Sequence, residues 1–275
     1  MPDTNARSPG LVERYREAAP ALAASNAVID SLLQHRSVRA YTQQALPPGT
    51  LEALVAAAQS AATSSNLQTW SVVAVQDPAR RERLSVLAGN QRHVAEAPLF
   101  LAWIADLSRA ERRGEQAGQP MEALPYLEAF MLAVIDAALA AQNATAAAES
   151  LGLGTVYIGG MRNHPEQVAA ELALPHGAMV VFGLCVGYAD PAQPAAMVKP
   201  RLPQSAVLFH EQYDASAEPG IIAGYDETLR AFQQEQSMKP QGWSELITKR
   251  LGSAKALSGR DHLRDAVTKL GFPLK

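Results

Sequence analysis

The sequence predicts an α+β fold, on three observations. Strand signals are few, confined to apolar runs at 70–77, 98–106 and 176–189 and a short strand or turn in LGTVYIGG at 153–160. The stretches between them do not repeat as successive βαβ units, which argues against a doubly wound parallel sheet. The third observation is one long segment, YLEAFMLAVIDAALAAQNATAAAESLGLG at 126–154, apolar around most of a helix. Such a helix has to be buried on nearly all sides. In a chain of 275 residues this predicts a central helix packed partly against another subunit. Glu128, Asp136, Gln142, Asn143 and Glu149 interrupt it, leaving no apolar run near the roughly 18 residues of a membrane span.

The elements follow in order. Residues 1–24 are polar, with Pro2, Pro9, Gly10 and Pro20, and are expected to wrap over the surface or dangle. NAVIDSLLQ reads as a helix capped by Asn26, with Val28, Ile29, Leu32 and Leu33 on one stripe and an end near His35. ALPPGTLEALVAAAQSAAT is a second helix, with Thr50 as the expected cap and Glu52 in the first turn. The polar cluster TSSNLQ leads into the strand WSVVAVQD, and Asp77-Pro78 turns the chain into the helix PARRERLSVLAG. PLFLAWIAD is a buried strand closed by Asp106, and 107–120, with Gly114, Gly118 and Pro120, reads as a loop before the long helix. LGTVYIGG is a short strand or turn, and 165–172 a helix. HGAMVVFGLCVGYA is too apolar for an edge strand. From Gly220 onward, amphipathic helices alternate with polar turns.

Composition removes several function classes. With 24 basic and 27 acidic residues the net charge is −3, too even for non-specific nucleic-acid binding, which needs a basic surface. One cysteine, Cys185, excludes an internal disulfide and a multi-cysteine metal site. The first twenty residues lack the apolar core of a secretory signal, so a cytoplasmic protein without membrane attachment is expected. GxGxxG, GxxxxGK[ST] and GxSxG are absent, and the histidines at 35, 93, 164, 176, 210 and 262 show no metal-ligand spacing. No metal site is expected. Enzyme chemistry here would belong to an organic cofactor.

Four polar groupings interrupt the apolar pattern. HRSVRAYT, 35–42, is either a helix end whose cations complement the dipole or an anchor in which arginine forks and Ser37 hold a phosphate. Arg39 lies beyond the helix end, where the dipole explanation fades. TSSNLQTW is either a capping loop or a set of hydroxyls and an amide for a polar ligand edge. GNQRHV is either a helix end with Gly89 as its terminator or a place where Gln91 meets an amide-like heterocycle edge. In KPRLP, Pro200 and Pro203 forbid helix, and extended backbone puts Lys199 and Arg201 on one face.

HRSVRAY, SAATSSNLQTWSVV, GNQRHV, TVYIGG and KPRLPQSAVLFHEQYD, in this order, resemble the FMN-dependent nitroreductase family. The likeness is to its NADPH-dependent nitroreductase A and flavin reductase P branch and runs over 26–275, with residues 1–25 as an N-terminal extension. It implies a nitroreductase-like α+β fold, with a mostly antiparallel sheet flanked by helices. It also implies a single FMN-binding domain with a C-terminal segment embracing the partner, in an intertwined homodimer with FMN at the interface. Carried over by motif, His35, Arg36, Ser37 and Arg39 would hold the FMN phosphate and ribityl chain, with Lys199 and Arg201 as further cations. Ser64, Ser65 and Asn66 would line the flavin, Gln91 would contact its ribityl or ring polar atoms, and Tyr157, Ile158, Gly159 and Gly160 would pass the ring.

The implied reaction is ping-pong hydride transfer from NAD(P)H through flavin N5 to nitroaromatics, quinones or free flavin, with no catalytic side chain. The same scaffold also serves dehalogenation, flavin fragmentation or unsaturated-bond reduction, or a non-catalytic flavin-binding dimer. Where the branch carries arginines before its Trp-Ser pair, this chain reads FQQEQSMKPQGWSE, with Lys239 as the only cation. A single ammonium is a less directional phosphate partner than an arginine fork, so NADPH and NADH are both expected donors.

Overall fold

A computed structural model describes residues 9–275. In chain order its helices are α1 (Pro9–Tyr15), α2 (Ala27–Leu33), α3 (Thr50–Gln59), α4 (Pro78–Leu87), α5 (Arg92–Glu96) and α6 (Ser108–Ala117). They continue with α7 (Leu127–Ser150), α8 (Pro165–Glu171), α9 (Glu218–Glu235), α10 (Trp243–Leu251) and α11 (Leu263–Lys269). The strands are β1 (Trp70–Val75), β2 (Leu99–Asp106), β3 (Gly154–Ile158) and β4 (Ala178–Gly187). The chain forms two compact units: residues up to Arg36 with Met197–Leu257, and Ser37–Ala196 with Ser258–Lys275.

The second unit carries the sheet, in the order β1-β2-β4-β3 with every neighbouring pair antiparallel. This is the expected α+β arrangement. The apolar run at 176–189 becomes the interior strand β4, as its composition requires. Alternate residues of β2 face opposite layers: Phe100, Ala102 and Ile104 meet Leu84, Val94 and Val168 of α4, α5 and α8. Leu99, Leu101 and Trp103 meet Leu54 and Ala58 of α3 and the alanines 140, 141, 144 and 148 of α7. Helix α7 is long and apolar enough to span a membrane by length and composition. However, eight of its residues, Asp136 among them, are buried within the unit. Its outer face shows Leu127, Met131, Ile135 and Leu139, each more than 40% exposed and four residues apart. The chain end packs onto its own unit: Leu127 N donates to Lys275 O, Lys275 N donates to Pro125 O, and buried Phe272 meets Phe130 edge-on.

Several boundaries match expectation. Asn26 Oδ1 accepts from Val28 N and Ile29 N at 3.0 Å, and Asp77 Oδ2 accepts from Arg80 N at 2.8 Å. Others are corrected. The cap of α3 is Gly49, in the left-handed region at φ 84, and Thr50 is already helical. Residues 108–117 are a helix, not a loop. It starts because Asp106 Oδ1 accepts from Ser108 N and Ser108 Oγ, and it stops at Gly118 with φ 61. The stripe on α2 is not a buried one, since Val28 is 65% and Leu32 45% exposed. The expectation that residues 1–24 wrap over the surface or dangle falls partly on residues 1–8, outside the described residues. Beyond them α1 packs within its unit, with Leu11 and Arg14 buried.

Candidate functional site

In the first unit, His35 and Arg36 follow the end of α2, and residues 198–201 lie outside any helix or strand. Val198 and Pro200 are buried while Lys199 and Arg201 are exposed, so the two cations share a face as the spacing predicts. Tyr225 of α9 donates to Pro200 O at 2.9 Å and fixes the buried side. Arg201 Nη1 donates back to Lys199 O at 3.2 Å. Sequence reasoning missed Arg14. Its guanidinium donates to Leu33 O, His35 O and Lys199 O, and its own carbonyl accepts from Arg201 N. This brings 33–35 and 199–201 together within the unit.

In the second unit, Ser37 forms a parallel bridge to Thr155 on the outer edge of β3, with Val38 N donating to Thr155 O at 2.8 Å. The approach is close enough that a Cβ at Gly154 would lie 2.7 Å from Val38. Val38 and Tyr41 point into the core, and the Tyr41 hydroxyl donates to Val38 O at 2.7 Å. Arg39, between them, is exposed and lines a cleft with Gln43, Arg92, His93, Glu96 and Asp190. Burial, and then the charge of Arg39, holds the His93 imidazole below its ordinary pKa against the opposing pull of Glu96. Among the described residues Arg36, Arg39 and Arg201 form no ion pair with a carboxylate.

Gln91 and the Tyr157–Gly160 stretch are brought together. Gly89 ends α4 in the left-handed region at φ 87, as expected of a helix terminator. Gln91 Nε2 donates to Ala88 O at 2.8 Å. A Cβ at Gly160 would lie 2.3 Å from that carbonyl and 2.5 Å from Gln91 Nε2, so only glycine fits. The Tyr157 side chain turns the other way: its hydroxyl pairs with Thr145 Oγ1 at 3.0 Å, and burial pushes its pKa up to about 12. Two cations missed from sequence flank the Gly159 backbone, for a methyl at Gly159 would lie 3.5 Å from Arg162 Nη2 and 3.9 Å from Arg260 Nη1.

Ser64, Ser65 and Asn66 form a 3-10 turn before β1, with Ser65 and Asn66 in the left-handed region at φ 48 and 57. Non-glycine residues hold that conformation only when their surroundings impose it. The imposing group is Asp136 of α7, buried to 2% exposure. Its Oδ2 accepts from Thr63 Oγ1 at 2.6 Å, Thr69 N at 3.0 Å and Thr69 Oγ1 at 3.0 Å, while Oδ1 accepts from Ser64 N at 3.4 Å. A carboxylate inside an apolar helix must find such partners, and that was the signal available in the sequence.

Within the second unit the structure does not bring this turn to Ser37. It leads into β1, at one edge of the sheet, while Ser37 runs beside β3, at the other. The two are tied to α7 by Asp136 and by Glu149, whose Oε1 accepts from Thr155 Oγ1 at 2.7 Å. These anchors are thirteen residues apart on one helix, about 20 Å. Beside the turn, a groove is lined by Thr63, Ser64, Met131, Ile135, Asp136 and Leu139, so the exposed apolar stripe of α7 borders the serines.

The nitroreductase family profile matches residues 32–188, and the C-terminal domain profile of the same family matches 199–275. A Bacillus subtilis protein named FMN reductase (NADPH) is 38% identical over 252 residues, covering 90% of this chain and 98% of its own. The oxygen-insensitive NADPH nitroreductase of Salmonella typhimurium is 40% identical over 225 residues, 81% of this chain and 90% of its own. Among solved structures, the Bacillus megaterium NfrA2 structure superposes with TM-score 0.85 at 35% identity, covering 91% of this chain and all of that one. The NADPH:FMN oxidoreductase of Vibrio harveyi complexed with NAD+ gives 0.80 at 32% identity, with coverage of 91% and 100%. In sequence along nearly its whole length, and in its nitroreductase fold, the chain belongs to the nitroreductase family.

Proposed function

We propose that this chain is an FMN-dependent NAD(P)H oxidoreductase that reduces small acceptors such as nitroaromatics, quinones or free flavin, and that it works as a homodimer in the cytoplasm. The observation that carries this reading is the exposure of Arg36, Arg39 and Arg201 without carboxylate partners among the described residues, on the segments that match the family's motifs. Exposed arginine forks suit a phosphate dianion. Within the second unit Arg39 lines a polar cleft with His93, and the Gly160 backbone packs so closely on the Gln91 amide that no side chain fits between them.

In this reading His35, Arg36, Ser37, Arg39, Lys199 and Arg201 hold the phosphate and ribityl chain. Gln91 orients the ring's polar edge, and the Tyr157–Gly160 backbone passes beside it. Arg162 and Arg260 set positive charge beside Gly159, which favours electron gain by a ring held there. FMN, when bound, supplies the two-electron chemistry between a reduced nicotinamide and the acceptor.

Ser64, Ser65 and Asn66 come to the flavin from a second copy, which is why they stand at the far edge of their own sheet. The apolar stripe of α7 beside them is the surface that copy covers, and residues 26–275 act as one FMN-binding domain. The nicotinamide donor is weakly discriminated. Lys239 is exposed, and Arg230 in the same unit is engaged by Glu227 at 2.6 Å and Glu245 at 2.8 Å. One exposed lysine–phosphate contact is worth less than about 1 kcal/mol.

The test is the absorbance of purified protein, followed by anaerobic mixing with NADH and with NADPH and then a panel of acceptors. The expected result is flavin visible bands that bleach with either donor and recover with a nitroaromatic or quinone. Protein without those bands, and gaining none when FMN is added, would overturn the reading.

A further inference from the structure

Arg14 belongs to the segment that precedes the matched family profile, which begins at residue 32. It is nevertheless one of the most buried charged residues, at 5% exposure. Nη2 donates to Leu33 O at 2.9 Å and His35 O at 2.6 Å, and Nη1 donates to Lys199 O at 2.8 Å. The Arg14 carbonyl accepts from Arg201 N at 2.9 Å. The last carbonyls of a helix have no partner within it. At the exit of α2 that role is filled by an arginine from elsewhere in the chain, so the cation complementing this helix end is Arg14.

The position of Arg14 is set by contacts within its own unit. A Cβ at Gly10 would lie 3.2 Å from Leu33 Cβ and 3.2 Å from Gln34 Cγ, so α1 presses directly on α2. Two residues on, Arg16 pairs with Glu235 of α9 at 2.8 Å and lies 5.7 Å from the centre of the Phe232 ring. The helix that carries Arg14 is thus seated on both sides. A planar fork is also the group that can hold carbonyls on two separate segments at once. A single ammonium has the donors but not the span.

We propose that Arg14 is a positioning residue for ligand phosphate. By clamping the backbone of His35 to that of Lys199 and Arg201, it sets the spacing at which Arg36 and the 199–201 cations meet one phosphate group. The proposal rests on the FMN reading above. It assigns Arg14 no contact with the ligand, because its fork is engaged with carbonyls. Its loss therefore reduces the part of the affinity that comes from phosphate and leaves contacts to the isoalloxazine ring alone.

The probe is a pair of ligands that differ only in the phosphate. Flavin-free full-length protein is titrated with FMN and with riboflavin, by quenching of flavin fluorescence, for wild type, Arg14→Gln and Arg14→Lys. The wild type is expected to prefer FMN. In Arg14→Gln the FMN dissociation constant rises about tenfold or more, the equivalent of one charged hydrogen bond, while that for riboflavin changes less than about twofold. Arg14→Lys falls between. Equal weakening of both ligands, or of neither, overturns the positioning role and leaves the FMN reading standing. A wild type that does not distinguish FMN from riboflavin overturns both. If Arg14→Gln does not fold, the FMN-to-riboflavin ratio of Arg14→Lys decides alone: a ratio reduced about threefold or more supports the proposal, and an unchanged ratio overturns it.

Discussion

The Asp136 carboxylate accepts a hydrogen bond from Thr63 Oγ1 at 2.6 Å, from inside the long apolar helix α7. With Thr69 also bound, this one side chain holds the strained Ser64–Asn66 turn onto α7. Replacing Asp136 by Ala strands four donors and is expected to cost about 3 kcal/mol. Urea denaturation at neutral pH measures it, and flavin binding should fall alongside. Thr69→Val, which removes one hydroxyl, should cost about 1 kcal/mol.

Arg39→Ala is expected to raise the FMN dissociation constant about tenfold at low ionic strength. The difference from wild type should shrink as salt is added, because an exposed cation is screened. The same change should move the His93 pKa up towards its ordinary value, since the Arg39 charge disfavours the imidazolium. Proton NMR of the imidazole across pH reads this directly.

Ile135→Glu places a charge in the middle of the exposed stripe of α7. If a second copy covers that face, the dimer should dissociate at least about tenfold more readily. Light scattering over a dilution series measures it. The same substitution at Val86, an exposed residue on α4, should leave assembly unchanged.

Asp106 sets an acid limit on stability. Burial raises its pKa, but hydrogen bonds from Ser108 and Ser71 and the charge of Arg109 together outweigh that and hold it below the ordinary value of 3.8. A carboxyl depressed in the folded state contributes stability above its unfolded pKa and loses it as pH falls through the folded one. Asp106→Asn should therefore lower stability by about 1–2 kcal/mol at pH 7 and by much less near pH 3. Thermal denaturation across that range tests the difference.

What could be read in advance followed from local chemistry. β4 declared itself by an unbroken apolar run, α2 and α4 by Asn26 and Asp77, and the shared face of Lys199 and Arg201 by the prolines around them. α6 escaped because SRAERRGEQA offers almost no apolar periodicity. Its start depends on Asp106, which belongs to a strand. Asp136 was visible as an anomaly, a carboxylate in an apolar helix, but its partners lie 67 to 73 residues earlier. Arg14 left no local signal at all, since its meaning comes only from carbonyls 19 to 185 residues away.

The two anchors on α7, Asp136 and Glu149, give that helix a property of evolutionary consequence. One inserted residue between them would turn everything beyond it by about 100° and swing Glu149 away from Thr155. A substitution, by contrast, leaves the angular phase of the anchors intact. As such chains diverge, the interval from 136 to 149 should therefore hold its length, while insertions and deletions collect in the turns on either side.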